Sequence, residues 1–291
     1  MKNNHLNVIL LLVACLVSTL SQAAEPVKRS VPAWLIKHHE SLQSQWSDVD
    51  GNPKTGVMRG DTQFVLGNQV WQPGKEFKNG DDWLALVCNQ EGCSFEPASL
   101  KVKKESWQGH YDDTATMGQK LTFSLISPSK DKTIAWFKQS EQAPSWLQIG
   151  EVTTYHSVAN KIKRPKSKGT FEVQVDLPDG KNALLVPILD NLSQDANGAL
   201  LQLRVAGKRQ LLLGVLAGCA GAESMEQNPN YLQWAGDLDN DGKPDFLVSF
   251  IDAEGVVHLY LSGLAQANDM VGLAGSSSGS PFGGECDGYA W

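Results

Sequence analysis

Residues 231–250 read YLQWAGDLDNDGKPDFLVSF. Four carboxylates, Asp237, Asp239, Asp241 and Asp245, occupy positions 1, 3, 5 and 9 of a loop whose sixth residue is Gly242, and the apolar run Phe246–Ile251 follows at once. Alternate spacing points the first three into one concavity, and Gly242 lets the chain reverse so that the Lys243 carbonyl and Asp245 close it. Gathering these charges without a counter-charge is unfavourable: one like-charge pair about 4 Å apart costs roughly 4 kcal/mol at an effective dielectric of ~20. A hard divalent cation reverses the sign, and an oxygen-only, carboxylate-rich set suits Ca²⁺ better than Zn²⁺. A solvated acidic turn is the competing reading of the same residues.

The flank separates this loop from an EF-hand, which needs a bidentate Glu at its twelfth position leading a helix. Here that position is Val248, inside a run rich in β-branched and aromatic residues, so the loop joins strands. GDLDNDGKPDFLV (residues 236–248) thereby resembles the FG-GAP or VCBS-type repeat, a calcium-binding β-hairpin. The resemblance implies Asp237, Asp239, Asp241 and Asp245 as side-chain ligands of Ca²⁺, with Lys243 as a main-chain ligand. It covers residues 231–261 and is specific for a cation loop. In that family several copies stack as propeller blades. One good copy is found here; residues 47–53 are a faint echo, with Gly56 where the ninth-position carboxylate belongs.

Residues 1–23 read as an export signal: Lys2, an apolar run from Val8 to Val17, then small residues that permit cleavage before Ala24. Leu12–Cys15 offers a second reading as a lipobox, which would make Cys15 a lipid anchor; Leu16 and Val17 continue the apolar run past it and favour simple cleavage. No later stretch is long enough to span a bilayer as a helix. Cleavage removes one of 25 basic side chains and none of the 32 acidic ones, and so acidic a chain argues against nucleic acid as partner. It also removes Cys15, leaving Cys88, Cys93, Cys219 and Cys286. An oxidising compartment would pair them. Of the three pairings, Cys88–Cys93 across a tight turn, with Cys219–Cys286, is the one expected.

Short apolar or alternating segments recur between Gly, Pro, Asn and Asp: 64–66, 83–87, 121–126, 134–137, 171–175, 183–189, 200–205, 211–216, 246–251 and 256–261. The last two would be joined as a hairpin by residues 252–255. One short helix is expected at Trp34–Glu40. This pattern predicts a mainly β chain, a sandwich or open barrel of antiparallel sheets with the acidic-loop hairpin near its C-terminal end. The expected organisation is a signal peptide (1–23), a β-rich N-terminal portion (24–105), a central β-rich domain (106–206) and a C-terminal portion (207–291). The charged run Lys101–Glu105 sets the first boundary, and residues 275–284 read as a flexible tail.

The sequence carries no HExxH, Walker or dinucleotide-binding motif. G-x-S-x-G centred on Ser277 lacks the strand and helix of a nucleophile elbow. His258 is expected to face outward on a strand, and His110 beside Asp112 and Asp113 is a loop histidine. Trp71, Trp83, Trp107, Trp136, Trp146 and Trp234 could pack in a core or include a platform for stacking sugars. Together these features describe an exported periplasmic or extracellular protein with a structural Ca²⁺ site. It would act by binding or adhesion, towards glycan or an envelope or extracellular protein; the alternative is a secreted hydrolase of glycan or peptide braced by calcium.

Overall fold

A computed structural model of the chain describes residues 62–68, 70–73, 77–107, 115–139, 144–159, 172–193, 196–215, 231–249, 257–266 and 268–277. Two antiparallel sheets make up the fold. The larger contains β1 (Phe64–Leu66), β2 (Val70–Pro73), β3 (Gly80–Cys88), β4 (Cys93–Trp107), β5 (Thr116–Leu125), β6 (Lys132–Lys138) and β7 (Gly150–Ser157). It continues through β12 (Leu232–Asp237), β13 (Asp245–Ser249), β14 (Val257–Leu261) and β15 (Gly272–Ser277). The smaller contains β8 (Val173–Asp176), β9 (Asn182–Ser193), β10 (Ala196–Val205) and β11 (Lys208–Val215), in the order β11-β10-β9-β8.

The large sheet runs β1-β6-β3-β4-β7-β12-β13-β14-β15, and β15 returns beside β1 to make a nearly closed barrel. Its interior is filled from one face of each strand: Phe64, Leu84, Leu86, Phe95, Phe137, Trp234, Leu247, Leu259 and Ala274 form one cluster. Phe95 meets Phe137 edge-on at 5.4 Å. The other face of β3 and β6 is not solvated. Trp83, Ala85, Val87 and Trp136 join Leu100, Leu121 and Phe123 in a second core. The outer face of β12–β14 is covered in turn, with Ala235, Phe246, Val248 and Tyr260 packing on Val173, Val175, Leu185, Leu201 and Leu203 of the small sheet. Strands covered on both faces read as unbroken apolar runs, which is why 83–87 and 246–248 show no alternation.

All ten expected segments fall on observed strands, with ends shifted by a few residues where they are described. Five strands lie outside those segments: β12, implied by an acidic loop that joins strands, and four not read from sequence, two of which replace other expectations. The run Lys101–Glu105, expected to set the first boundary, lies inside β4. β4 pairs with β3 along one edge and with β7 and then β5 along the other, and beyond Leu100 only β5 remains beside it. Lys101, Lys103 and Lys104 there face solvent. β4 thus runs unbroken across residues 105 and 106, and the β10–β11 turn, Ala206 and Gly207, bridges 206 and 207. Residues 275–277, taken as tail, belong to β15, where Ser277 pairs with Val257. β2 and β7 are the other two unread strands.

Cys88 and Cys93 form a disulfide closing the β3–β4 turn, in which the Asn89 side chain accepts from the N–H groups of Glu91 and Gly92. Trp83, Trp136 and Trp234 are buried, and Trp146 packs half-buried on Phe95 and Phe137. The 1–23 leader, the Trp34–Glu40 helix, His110, the 252–255 turn, the Cys219–Cys286 pair and the side chains of Trp71 and Trp107 lie outside the described residues. No helix among the described residues is long and apolar enough to cross a membrane.

Candidate metal centre

Asp237 ends β12 and Asp245 begins β13, so the sheet fixes both ends of the acidic loop. Between them Asn240 at φ 58° and Gly242 at φ 80° turn the chain in the left-handed region, which Asn and Gly adopt most readily. The carboxylates then organise the backbone. Both oxygens of Asp237 accept, from the N–H groups of Asp241 and Gly242, each at 3.0 Å. Asp245 is fully buried; its Oδ2 accepts from the Leu238 N–H at 2.6 Å and its Oδ1 from the Ser262 N–H at 2.7 Å. Asp239 accepts from the Gly263 N–H at 3.1 Å.

These bonds bring Asp237, Asp239 and Asp245 together, with one carboxylate oxygen of each inside a set no more than 4.8 Å across. Such a cluster can hold a metal ion. Asp241 and Lys243, the other two residues expected in the ligand set, make contacts of their own. Asp241 accepts from the Ser262 hydroxyl at 2.8 Å and from the Lys243 backbone N–H at 2.9 Å. The Lys243 ammonium lies 3.0 Å from the same carboxylate. Ser262 and Gly263 were not foreseen from the sequence. They sit in the 3₁₀ turn after β14 and reach the loop only through the tertiary fold, so no local pattern announces them.

Electrostatics set Asp245 apart. Burial, aided by the charge of Asp239, raises its carboxyl to about 7 despite the Ser262 and Leu238 hydrogen bonds. Burial and the neighbouring Asp241 also raise Asp239. For Asp241 burial acts in the same direction, but hydrogen bonds from Ser262 and Lys243 outweigh it and lower the pKa. The field reaches beyond the loop: burial first, then Asp237, Asp245, Asp241 and Asp179, raise the Tyr155 phenol. A buried carboxyl raised by desolvation and by like charges is a group that a cation would stabilise.

The loop also forms one wall of a cleft of about 410 Å³. Gly242, Lys243, Pro244 and Ser262 line it together with Leu177, Pro178, Asp179 and Lys181 around the β8–β9 turn and Ala206 and Lys208 around the β10–β11 turn. Tyr155, Leu203, Met270 and Val271 add a largely apolar surface.

No protein-family model, curated protein or solved structure matches this chain. Its chemistry is therefore read from the side chains themselves.

Among the described residues the histidines do not extend the site. His258 does not face outward as expected. It is buried on β14, with Nδ1 2.6 Å from the Ser276 hydroxyl, and desolvation lowers its pKa to about 3. An imidazole so reluctant to accept a proton is a poor general base. No histidine lines the cleft among the described residues.

Proposed function

We propose that this is an exported binding protein whose acidic loop takes Ca²⁺ as a structural brace. The observation that carries the reading is the convergence of Asp237, Asp239 and Asp245, one of them fully buried. Two ligand oxygens on opposite sides of Ca²⁺ lie roughly 4.6–5.2 Å apart, given bond lengths of about 2.3–2.6 Å, whereas Mg²⁺ at about 2.0–2.1 Å draws them closer. The three carboxylate oxygens, all within 4.8 Å of one another, lie close enough to share such an ion. Absence of sulfur and imidazole in the set disfavours zinc.

The brace would act between hairpins. Asp245 opens β13 and already grips Ser262 beyond β14, so a cation there stabilises the junction of two strand pairs. Export is supported by the leader-like residues 1–23 and by the Cys88–Cys93 disulfide, a bond at home in oxidising compartments where calcium is plentiful. Binding is favoured over hydrolysis because Asp179, an acid at the cleft, is lowered by its hydrogen bonds to Lys181 rather than raised as a proton donor would be. Asp241 and the Lys243 carbonyl, the remaining members of the FG-GAP-like ligand set, would complete the coordination.

Calorimetric titration with Ca²⁺ and a thermal melt with and without the ion test this reading. Calcium should bind and raise the melting temperature, by an amount equivalent to about 2.7 kcal/mol at a hundredfold excess over Kd. Asp237→Asn combined with Asp239→Asn should abolish both effects. A wild-type protein indifferent to calcium would end the proposal.

A further inference from the structure

We propose that the cleft beside the acidic loop binds a uronic-acid sugar, and that metal at the loop tightens this binding. The second half rests on the calcium reading above. The walls carry three chemistries at once. Lys181, Lys208 and Lys243 line one cleft from three separate turns, within a chain of net charge −7. Asp179 and Asp269 supply carboxylate oxygens of the kind that accept from sugar hydroxyls. Tyr155 and the aliphatic floor offer apolar surface against which a pyranose face can lie. A ligand that satisfies all three has one anionic group, several hydroxyls and an apolar face. The volume lies within the ~300–1,000 Å³ usual for small-molecule sites.

The cations are not equivalent. Lys181 pairs with Asp179 and Lys243 with Asp241, whereas Lys208 has no ion-pair partner among the described residues. Lys208 is thus the group available to a ligand carboxylate from the outset. Lys243 becomes available through the metal. Its ammonium is held by Asp241, two residues from Asp239 and four from Asp245. A divalent ion at the loop competes with Lys243 for the charge of Asp241, which frees the ammonium toward the cleft. Metal therefore adds positive potential where the sugar carboxylate would sit. Coupling of this kind is reciprocal: the sugar acid must tighten metal binding by the same factor.

The test uses the full exported chain, D-galacturonate and D-galactose as probes, and calorimetry in calcium and in EGTA. D-galacturonate should bind about fivefold or more tightly in calcium than in EGTA, the range of ordinary allosteric coupling, and D-galactose should not bind measurably in either. Lys208→Gln should weaken D-galacturonate binding roughly tenfold while leaving the calcium titration unchanged. Trigalacturonate separates two sources of the same chemistry: tighter binding than the monomer identifies a polysaccharide ligand, equal binding a free sugar acid. Failure of D-galacturonate to bind in calcium, or equal binding of D-galactose, overturns the ligand class. Equal affinity in calcium and EGTA overturns the coupling. Calcium titrated alone reports separately on the metal reading, so a failure of that reading is not mistaken for a failure of the cleft.

Discussion

Ser262 donates its backbone N–H to Oδ1 of Asp245 at 2.7 Å, across 17 residues of sequence, while the same carboxylate accepts from Leu238 through its other oxygen. One buried side chain thus joins the end of β12, the start of β13 and the turn after β14. The contact gives Asp245 a role in the fold that is independent of any ion.

Asp245→Ala should accordingly destabilise the metal-free protein. Two buried N–H donors lose their acceptor, at about 1–3 kcal/mol each. Urea denaturation in EGTA should show a loss of roughly 2–6 kcal/mol. A loss below about half of one kcal/mol would mean that water replaces the carboxylate freely.

The pH dependence has a definite sign. The Asp245 carboxyl titrates at about 7 in the folded protein against 3.8 for the unreacted side chain. Its contribution is therefore full below pH ~4 and is lost as pH rises through about 7, a change on the order of 4 kcal/mol. Buried neutral His258 runs the other way, costing stability as pH falls below 6.5. The difference in stability between wild type and Asp245→Asn in EGTA isolates the carboxyl, and its wild-type side should decline from pH ~4 to ~7. Calcium should remove that decline. A flat difference in EGTA would refute the raised pKa.

Gly263→Ala separates metal binding from folding. A Cβ there would stand 2.4 Å from Oδ2 of Asp239. That oxygen is the far end of a flexible, half-exposed side chain, so it can swing away at little cost to stability. Calcium affinity should fall about tenfold or more, equivalent to roughly 1.4 kcal/mol, while the melting temperature in EGTA changes by only a few degrees. Unchanged calcium affinity would remove Asp239 from the ligand set.

The disulfide should matter modestly. Cys88 and Cys93 enclose a short turn already zipped by β3–β4 pairing, and the chain-entropy estimate for so small a loop is ~2 kcal/mol. Replacing both by Ser should lower the melting temperature by several degrees without altering calcium binding. Loss of folding altogether would contradict the self-sufficiency of the hairpin.

Much of this was legible in the chain. The aspartate spacing at 237–245 located the acidic loop between strands, and the apolar runs located ten strands, because side chains buried on both faces leave a compositional mark. What escaped had physical causes. β4 beyond Leu100 forms a ribbon with β5 alone, and the exposed Lys101, Lys103 and Lys104 disguise that strand as a charged run. The end of β15, Gly275–Ser277, is written in Gly and Ser, a composition read as tail, and gains its order from pairing with β14. His258 looked like an outward residue because alternation was assumed on a strand whose every residue is buried. Ser262 and Gly263 reach the acidic loop by a tertiary contact, and a loop motif contains no information about its distant neighbours.

The return of β15 to β1 has a consequence for how the molecule is made. Residues near 64 find their barrel neighbours near 275, so the seam is among the most non-local contacts in the fold. As the chain is made, the early strands can pair and pack around the core of Trp83, Phe123 and Trp136, but the barrel interior still lacks its β12–β15 wall. Closure of the barrel waits until almost the last described residue has been made.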